Sequence, residues 1–142
     1  MIKKGHKVQI ETNGSLPIPS IPGIDWVIDD KCPSSGQHER MNHLEEMCKD
    51  IDNVRHIGGN IYIKWVVKDM EDIEYAINRI GTMKEIISKY KDGDCGIKYA
   101  ISPINGHGKL IPTIVEIIEK KNKKLLDDII FSVQLHKLIE MP

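Results

Sequence analysis

The sequence predicts an α/β fold, a five-stranded, mostly parallel sheet curved like part of a barrel with three helices on its outer face. Short apolar β-type runs alternate with helical stretches along the 142 residues, and helices between strands imply parallel pairing with right-handed crossovers. The strand runs are almost continuously apolar, as in strands covered on both faces. No shift in composition divides the chain, so residues 1–142 are expected to form one domain.

The strands follow from β-branched runs bounded by turn residues. The first run, HKVQIET, is followed by Asn13 and Gly14, a common turn pair. Three prolines in the next link favour an extended connection without a helix. Pro103 closes the fourth strand. The predicted strands are 6–12, 23–29, 60–67, 96–102 and 128–135.

Three helices are predicted between the later strands. Apolar residues at helical spacing indicate the first over Glu39 to Ile51. Asp69 is the expected N-cap of the second, which continues to about Tyr90. Pro112 fits the first turn of the third.

Composition excludes several classes of function. A net charge of −1 gives no case for a nucleic-acid or anionic-membrane partner. No apolar stretch approaches the ~20 residues that span a bilayer, and no signal peptide is visible, so a cytoplasmic location is expected. Cys32, Cys48 and Cys95 lack metal-site spacing, which favours reduced, partly buried thiols and no protein-held metal. The histidines show no metal-ligand spacing, and none is evidently paired with a cysteine or serine nucleophile as in a catalytic triad.

Polar residues gather where four of the five predicted strands end. Ligands of parallel α/β sheets bind beyond the carboxyl ends of the strands. Each polar stretch alone is more often an ordinary turn, but their coincidence at one edge predicts a binding site. The stretches are ETNG after the first strand, DDKCPSSG after the second, SPINGHG after the fourth, and Gln134, His136 and Lys137 at the fifth.

These strand ends carry a resemblance to a family. The segments VQIETNGSLPIP, DDKCPSSG, IKWVVKDMEDIEYA, ISPINGHGKL and VQLHKLI resemble, in order, the later strands of 7-carboxy-7-deazaguanine synthase. That family comprises radical S-adenosylmethionine (radical SAM) lyases that contract the ring of 6-carboxy-5,6,7,8-tetrahydropterin in queuosine and archaeosine precursor synthesis. The chain lacks the family's cluster loop C-x-x-x-C-x-x-C and its early Gly-Gly-Glu strand. It therefore resembles the C-terminal part of such an enzyme, with the fold of a partial radical SAM barrel.

The resemblance implies ligand-binding roles at matching positions. Thr12 and Pro142 would contact the carboxytetrahydropterin substrate, Pro142 through its terminal carboxylate. No catalytic residue is indicated. The residues implied for SAM are Gly14, Asp29, Asp30, Lys31, Ser102, Pro103, Ile104 and Asn105.

The resemblance also implies cofactors and partners. SAM is the expected cofactor of this part, whereas an iron–sulfur cluster and magnesium would require the missing N-terminal part. That part could be a partner chain, and an open sheet edge also suits a homo-oligomer. Whether the chain is an enzyme by itself stays open. Two alternatives remain: a fragment of a radical SAM activating enzyme for a glycyl-radical protein, and a non-catalytic split or degenerate α/β binding module.

Overall fold

The computed structural model describes residues 6–40, 43–91, 93, 96–104 and 109–132. Strands and helices alternate along it from the second strand onward. The strands are β1 (Val8–Thr12), β2 (Ile24–Asp29), β3 (Ile61–Val67), β4 (Ile97–Pro103) and β5 (Ile129–Phe131). The α-helices are α1 (Leu44–His56), α2 (Met70–Ile87) and α3 (Leu110–Asn122), and short 3-10 helices cover Pro33–Ser35, His38–Arg40 and Lys123–Asp128.

The five strands form one parallel sheet in the order β1-β2-β3-β4-β5. The α/β class and the parallel pairing predicted from the sequence are confirmed. Sequential order of neighbouring parallel strands is the arrangement of a β/α barrel, here with β1 and β5 at the two ends of the described sheet. The helix start predicted at Glu39 is wrong, because residues 38–40 form a 3-10 turn and α1 begins at Leu44.

The other element boundaries lie close to their predicted positions. Asp69 caps α2 as predicted, since its side chain accepts a hydrogen bond from the backbone N–H of Asp72. Pro112 lies in the first turn of α3. Helix α1 extends beyond Ile51 because Val54 continues its buried stripe. Strand β5, predicted to reach Leu135, ends at Phe131, so Ser132 is not part of it. The rest of the predicted continuation, 133–135, lies outside the described residues.

The two faces of the sheet differ in what covers them. The outer face packs against the helices, and residues of α1, α2 and α3 such as Ile51, Ile77 and Ile114 join its strand residues in one apolar cluster. The inner face carries Asp29, Lys64 and Ala100, each partly exposed. Burial therefore alternates along β2 and β3. The prediction that the strands are covered on both faces is therefore wrong for the inner face, and only the outer face is covered by helices.

No helix among the described residues is long and apolar enough to span a bilayer.

We expect Gly59→Ala and Gly81→Ala to change stability in opposite directions. A Cβ at Gly59 would lie 2.6 Å from Cγ1 of Val54 and 2.8 Å from the carbonyl oxygen of Ile24, where α1 turns into β3. Relieving that overlap should lower the free energy of unfolding by about 1–3 kcal/mol. Gly81, within α2, has no atom within 4 Å of the same position. Alanine there should add roughly 0.5–1 kcal/mol through helix propensity.

Urea titration of the two variants beside the unchanged chain measures both effects. Equal midpoints for Gly59→Ala and the unchanged chain would contradict the close approach of α1 to β2.

Candidate functional site

A cavity of about 520 Å³ lies at the carboxyl ends of β2 and β3, on the inner face. Four residues implied for SAM line it: Asp29, Asp30, Lys31 and Ile104. The remaining lining comes from the loop after β2, from the middle and end of β3 and from the residue that follows β3. These residues are Cys32, Ser34, Ser35, Lys64, Val66 and Lys68.

The polar loop after β2 is folded by hydrogen bonds of its own. Pro33 begins a single 3-10 turn, where its missing N–H has no cost. The carbonyl oxygen of Cys32 accepts hydrogen bonds from the backbone N–H of Ser35, at 3.0 Å, and from its hydroxyl, at 2.6 Å. Gly36 ends the turn with a φ of 66°, a left-handed conformation that glycine adopts without strain. The sequence CPSSG therefore encodes a compact turn at the edge of the cavity.

The carboxylate of Asp72 anchors this loop to α2. Asp72 is fully buried in the first turn of the helix. Its Oδ1 accepts the backbone N–H of Ser34 at 3.0 Å, and its Oδ2 accepts the Ser34 hydroxyl at 2.5 Å. The same Oδ2 accepts the backbone N–H of Lys68 at 2.9 Å. One side chain thus fixes both the loop after β2 and the residue after β3, the two segments that border the cavity.

Asp30 points away from the inner face and forms a buried ion pair. Its side chain is fully buried, and it accepts two hydrogen bonds from Arg79 of α2, Nε to Oδ2 at 2.8 Å and Nη2 to Oδ1 at 3.1 Å. The indole Nε1 of Trp65 donates to Oδ2 at 2.9 Å. Burial would lower the pKa of Arg79, but its hydrogen bond to Asp30 and the carboxylate's charge outweigh burial and raise it. The carboxylate of Asp30 is thus fully engaged within the protein.

Asp29, by contrast, faces the cavity. Its Oδ2 lies 2.5 Å from the Nζ of Lys31, and both side chains are about one-third exposed. Its Oδ1 is buried and has no hydrogen-bond partner among the residues that the structure describes. Oδ1 is thus an acceptor available to a hydroxyl or ammonium donor of a ligand. The ion pair itself resembles the exposed pairs that contribute ~0–1 kcal/mol, so a ligand could displace it at small cost.

Among the charged side chains that line the cavity, lysines outnumber aspartates. Lys31, Lys64 and Lys68 all line it. Lys64 stands beside Asp29 in the register of β2 and β3, but the two side chains form no ion pair. Within the described ranges, no acidic partner is found for Lys64 or Lys68. With Asp30 neutralised by Arg79, three ammonium groups face one carboxylate.

The other described residues implied by the resemblance lie around the same sheet edge. Thr12 lies on the helix-facing side of β1, level with Ile28, and its Oγ1 accepts the backbone N–H of Gly14 at 3.2 Å. Ser102 is fully buried, and its hydroxyl has no partner in the described part of the chain. Pro103 is the last residue of β4, paired with Val67. Asn105 and Pro142 lie outside the described residues. The ligand contacts of all these residues stay predictions.

Three residues important to the site were not singled out from the sequence. Asp72 and Arg79 belong to α2, and nothing in a helical stripe shows that their side chains reach back to the loop after β2. Lys64 had a signal: it is the one charged residue in the run IYIKWVV. Alternation places it on the face opposite Ile63 and Trp65, so a lone lysine facing away from the core pointed to the inner face.

The two described cysteines are not suited to thiolate chemistry. Burial, strengthened by the negative charge of Asp72, raises the pKa of the Cys32 thiol far above its ordinary value. Burial also raises the pKa of Cys48, to about 12. Across the residues whose placement is given, no three His, Cys, Asp or Glu side chains gather in a way that could hold a metal ion.

Comparison with known proteins identifies relatives of this chain. It is 33% identical over 143 aligned positions to the 7-carboxy-7-deazaguanine synthase of Methanospirillum hungatei, covering all of this chain and 50% of that protein. It is 31% identical over 77 positions to the 7-carboxy-7-deazaguanine synthase of Koribacter versatilis, covering 54% of this chain and 30% of that protein. The chain spans about half the length of the first relative. No family model and no solved structure matches.

We expect Arg79→Met to destabilise the chain strongly, because it leaves the Asp30 carboxylate buried without its cation. Breaking a buried pair in this way costs about 3–5 kcal/mol. The double variant Asp30→Asn with Arg79→Met removes both charges and should recover much of the loss. Lys120→Met, which removes a cation from an exposed pair with Glu116, is the control.

Urea unfolding measures all three variants. A loss for Arg79→Met no larger than for Lys120→Met would contradict a buried ion pair.

We expect Cys32 and Cys48 to resist alkylation in the folded chain. At pH 8 the thiolate fraction of each is far below that of an unfolded thiol, whose ordinary pKa is 9.0. The same shift makes stability depend on pH. Above pH 9 the unfolded thiols lose protons that the folded ones keep, so the free energy of unfolding falls between pH 9 and about 12. Iodoacetamide labelling read by peptide mass spectrometry separates these two from Cys95.

Rapid labelling of Cys32 at pH 8, without unfolding, would show that its thiol is open to the cavity.

Proposed function

This chain is a relative of the 7-carboxy-7-deazaguanine synthases, and we propose that it supplies the SAM- and pterin-binding part of such an enzyme. The reaction proposed for the whole enzyme is ring contraction of 6-carboxy-5,6,7,8-tetrahydropterin. One observation carries the proposal. The cavity on the inner face lies at the carboxyl ends of the strands and is lined by Asp29, Lys31 and Ile104, three of the residues that the family resemblance implies for SAM.

The chemistry of the lining fits SAM. The ligand offers a carboxylate, an ammonium group, two ribose hydroxyls and an adenine edge. Lysine ammonium groups suit the carboxylate, and the unpartnered Oδ1 of Asp29 suits a hydroxyl or ammonium donor. The volume of about 520 Å³ lies within the range of small-molecule sites. Under this proposal Lys31 moves from Asp29 to the ligand carboxylate.

An iron–sulfur cluster or a magnesium ion does not fit the described part of this chain. No group of three ligating side chains is found there, and Cys32 and Cys48 are buried thiols. We therefore assign the binding of those groups to a portion of the enzyme beyond the residues discussed, and this chain alone is not expected to cleave SAM. The end strands β1 and β5 are the edges at which another segment or chain could extend the sheet.

The names of the relatives favour this proposal over its alternatives. Both are 7-carboxy-7-deazaguanine synthases, and neither is an activating enzyme of a glycyl-radical protein. A non-catalytic binding module would share the fold but has no reason to keep a cavity rich in cations where the family resemblance implies SAM.

We expect the chain to bind SAM, and Lys31→Ala to weaken that binding by roughly tenfold, since charged hydrogen bonds are worth about 1.5–3 kcal/mol. Part of this loss would come from Asp29, whose freed carboxylate would repel that of SAM. Isothermal titration calorimetry measures the dissociation constants. Lys98→Ala is the matched control, because Lys98 lies below the cavity and stacks over the ring of Tyr62, 5.3 Å from its centroid.

Equal affinities of the unchanged chain and Lys31→Ala for SAM would show that Lys31 does not bind the ligand and only forms a surface salt bridge with Asp29. No SAM binding by the unchanged chain would contradict the proposed role of the cavity.

A further inference from the structure

We infer that Lys64, assisted by Lys68, is an anion-binding residue that holds a carboxylate of the cavity's ligand. This inference rests on the proposed function and deepens it, because it names a second residue, beside Lys31, that selects carboxylate-bearing ligands at the same site. Neither residue is among those that the family resemblance implies for a ligand.

The position of Lys64 exposes its charge to the cavity. It stands in the middle of β3 on the inner face, with Asp29 beside it on β2 and Ala100 beside it on β4. Neighbouring strands lie about 4.8 Å apart, so the small side chain of Ala100 leaves space on one side of Lys64. The side chain is only partly exposed, which reduces screening of its charge by salt.

The local pairing leaves this charge uncompensated. The Nζ of Lys31 already occupies the Oδ2 of Asp29, and Asp30 is held by Arg79 on the other side of the sheet. Asp72 is engaged by Ser34 and the backbone N–H of Lys68. Asp69 accepts the backbone N–H of Asp72 and does not line the cavity. An anion entering the cavity would therefore meet two lysines that have no acidic partner among the described residues.

Lys98, another lysine on the inner face, does not line this cavity. Lys98 lies one row nearer the amino ends of the strands, level with Tyr62, and its ammonium group lies over that ring. It lines a different cavity of about 300 Å³, near the start of β4 and β5. Lys98→Met consequently removes the same charge from the same face without touching the site, which makes it the matched control for Lys64→Met.

The first test uses citrate, a carboxylate anion that does not depend on the proposed function. We expect citrate to shift the backbone amide resonances of Lys64, Val66 and Lys68 in ¹H–¹⁵N spectra. Lys64→Met should weaken citrate binding by about tenfold, Lys68→Met should weaken it less, and Lys64→Arg should keep most of it. Lys98→Met should leave it unchanged. Equal citrate affinity in Lys64→Met and Lys98→Met would overturn the inference.

The second test identifies which ligand supplies the carboxylate. SAM is compared with decarboxylated SAM, and carboxytetrahydropterin with tetrahydropterin, by calorimetry. The unchanged chain should prefer the carboxylated member of one pair by about ten- to a hundredfold. Lys64→Met should reduce that preference by about tenfold, because Lys31 still faces the carboxylate, and it should leave the affinity for the member without the carboxylate unchanged.

The outcomes separate the two proposals. If neither SAM nor the pterin binds while the citrate results hold, the proposed function is wrong and the anion site stands. If SAM binds and Lys64→Met keeps the full preference for the carboxylated forms, the proposed function stands and the role of Lys64 is wrong.

Discussion

The buried carboxylate of Asp72 is the constraint on which the rest of the site depends. Three donors from two separate segments converge on it, and a buried carboxylate is tolerated only when its oxygens are satisfied in this way. Because Asp72 lies in the first turn of α2, the packing of that helix against the sheet fixes the loop after β2. The shape of the cavity therefore depends on how α2 packs against the sheet, because Asp72 connects that helix to the loop. The turn residues of the loop do not determine it alone.

Two consecutive acids at the end of β2 have opposite roles because a strand alternates its faces. Asp29 points to the inner face and lines the cavity, whereas the side chain of Asp30 pairs with Arg79 and Trp65. The pair with Arg79 fastens the end of β2 to α2, and Asp72 fastens the loop that follows. A dense polar stretch after a buried strand thus combines one acid that is available to a ligand with another that holds the strand in place.

The sequence was sufficient for the fold because the period of its apolar residues reports burial directly. The alternation of strands and helices followed from that pattern, and the cap at Asp69 followed from the preference of helix N-termini for such a side chain. Helix α1 was placed too early, since the 3-10 turn at His38–Arg40 gives no apolar period. For the candidate site, the sequence indicated the sheet edge at which the cavity lies. It could not separate Asp29 from Asp30, because alternation along a strand does not by itself show which of two neighbouring residues faces the core. Arg79 lies 49 residues from Asp30, a separation that local patterns do not encode.

The charge balance of the cavity argues for a function beyond structure. Like charges gathered in a partly buried space repel one another, and a fold under selection for stability alone would pair or remove them. Two buried carboxylates of the described chain have their partners: Asp30 forms an ion pair with Arg79, and Asp72 accepts hydrogen bonds from Ser34 and the backbone N–H of Lys68. At the carboxyl edge of β2 and β3, by contrast, Asp29 pairs with Lys31, while Lys64 and Lys68 line the same cavity without an acidic partner among the described residues. Under the inference drawn for Lys64, an anionic ligand would supply the missing negative charge, so the lysines that repel one another in the empty cavity would stabilise the bound ligand.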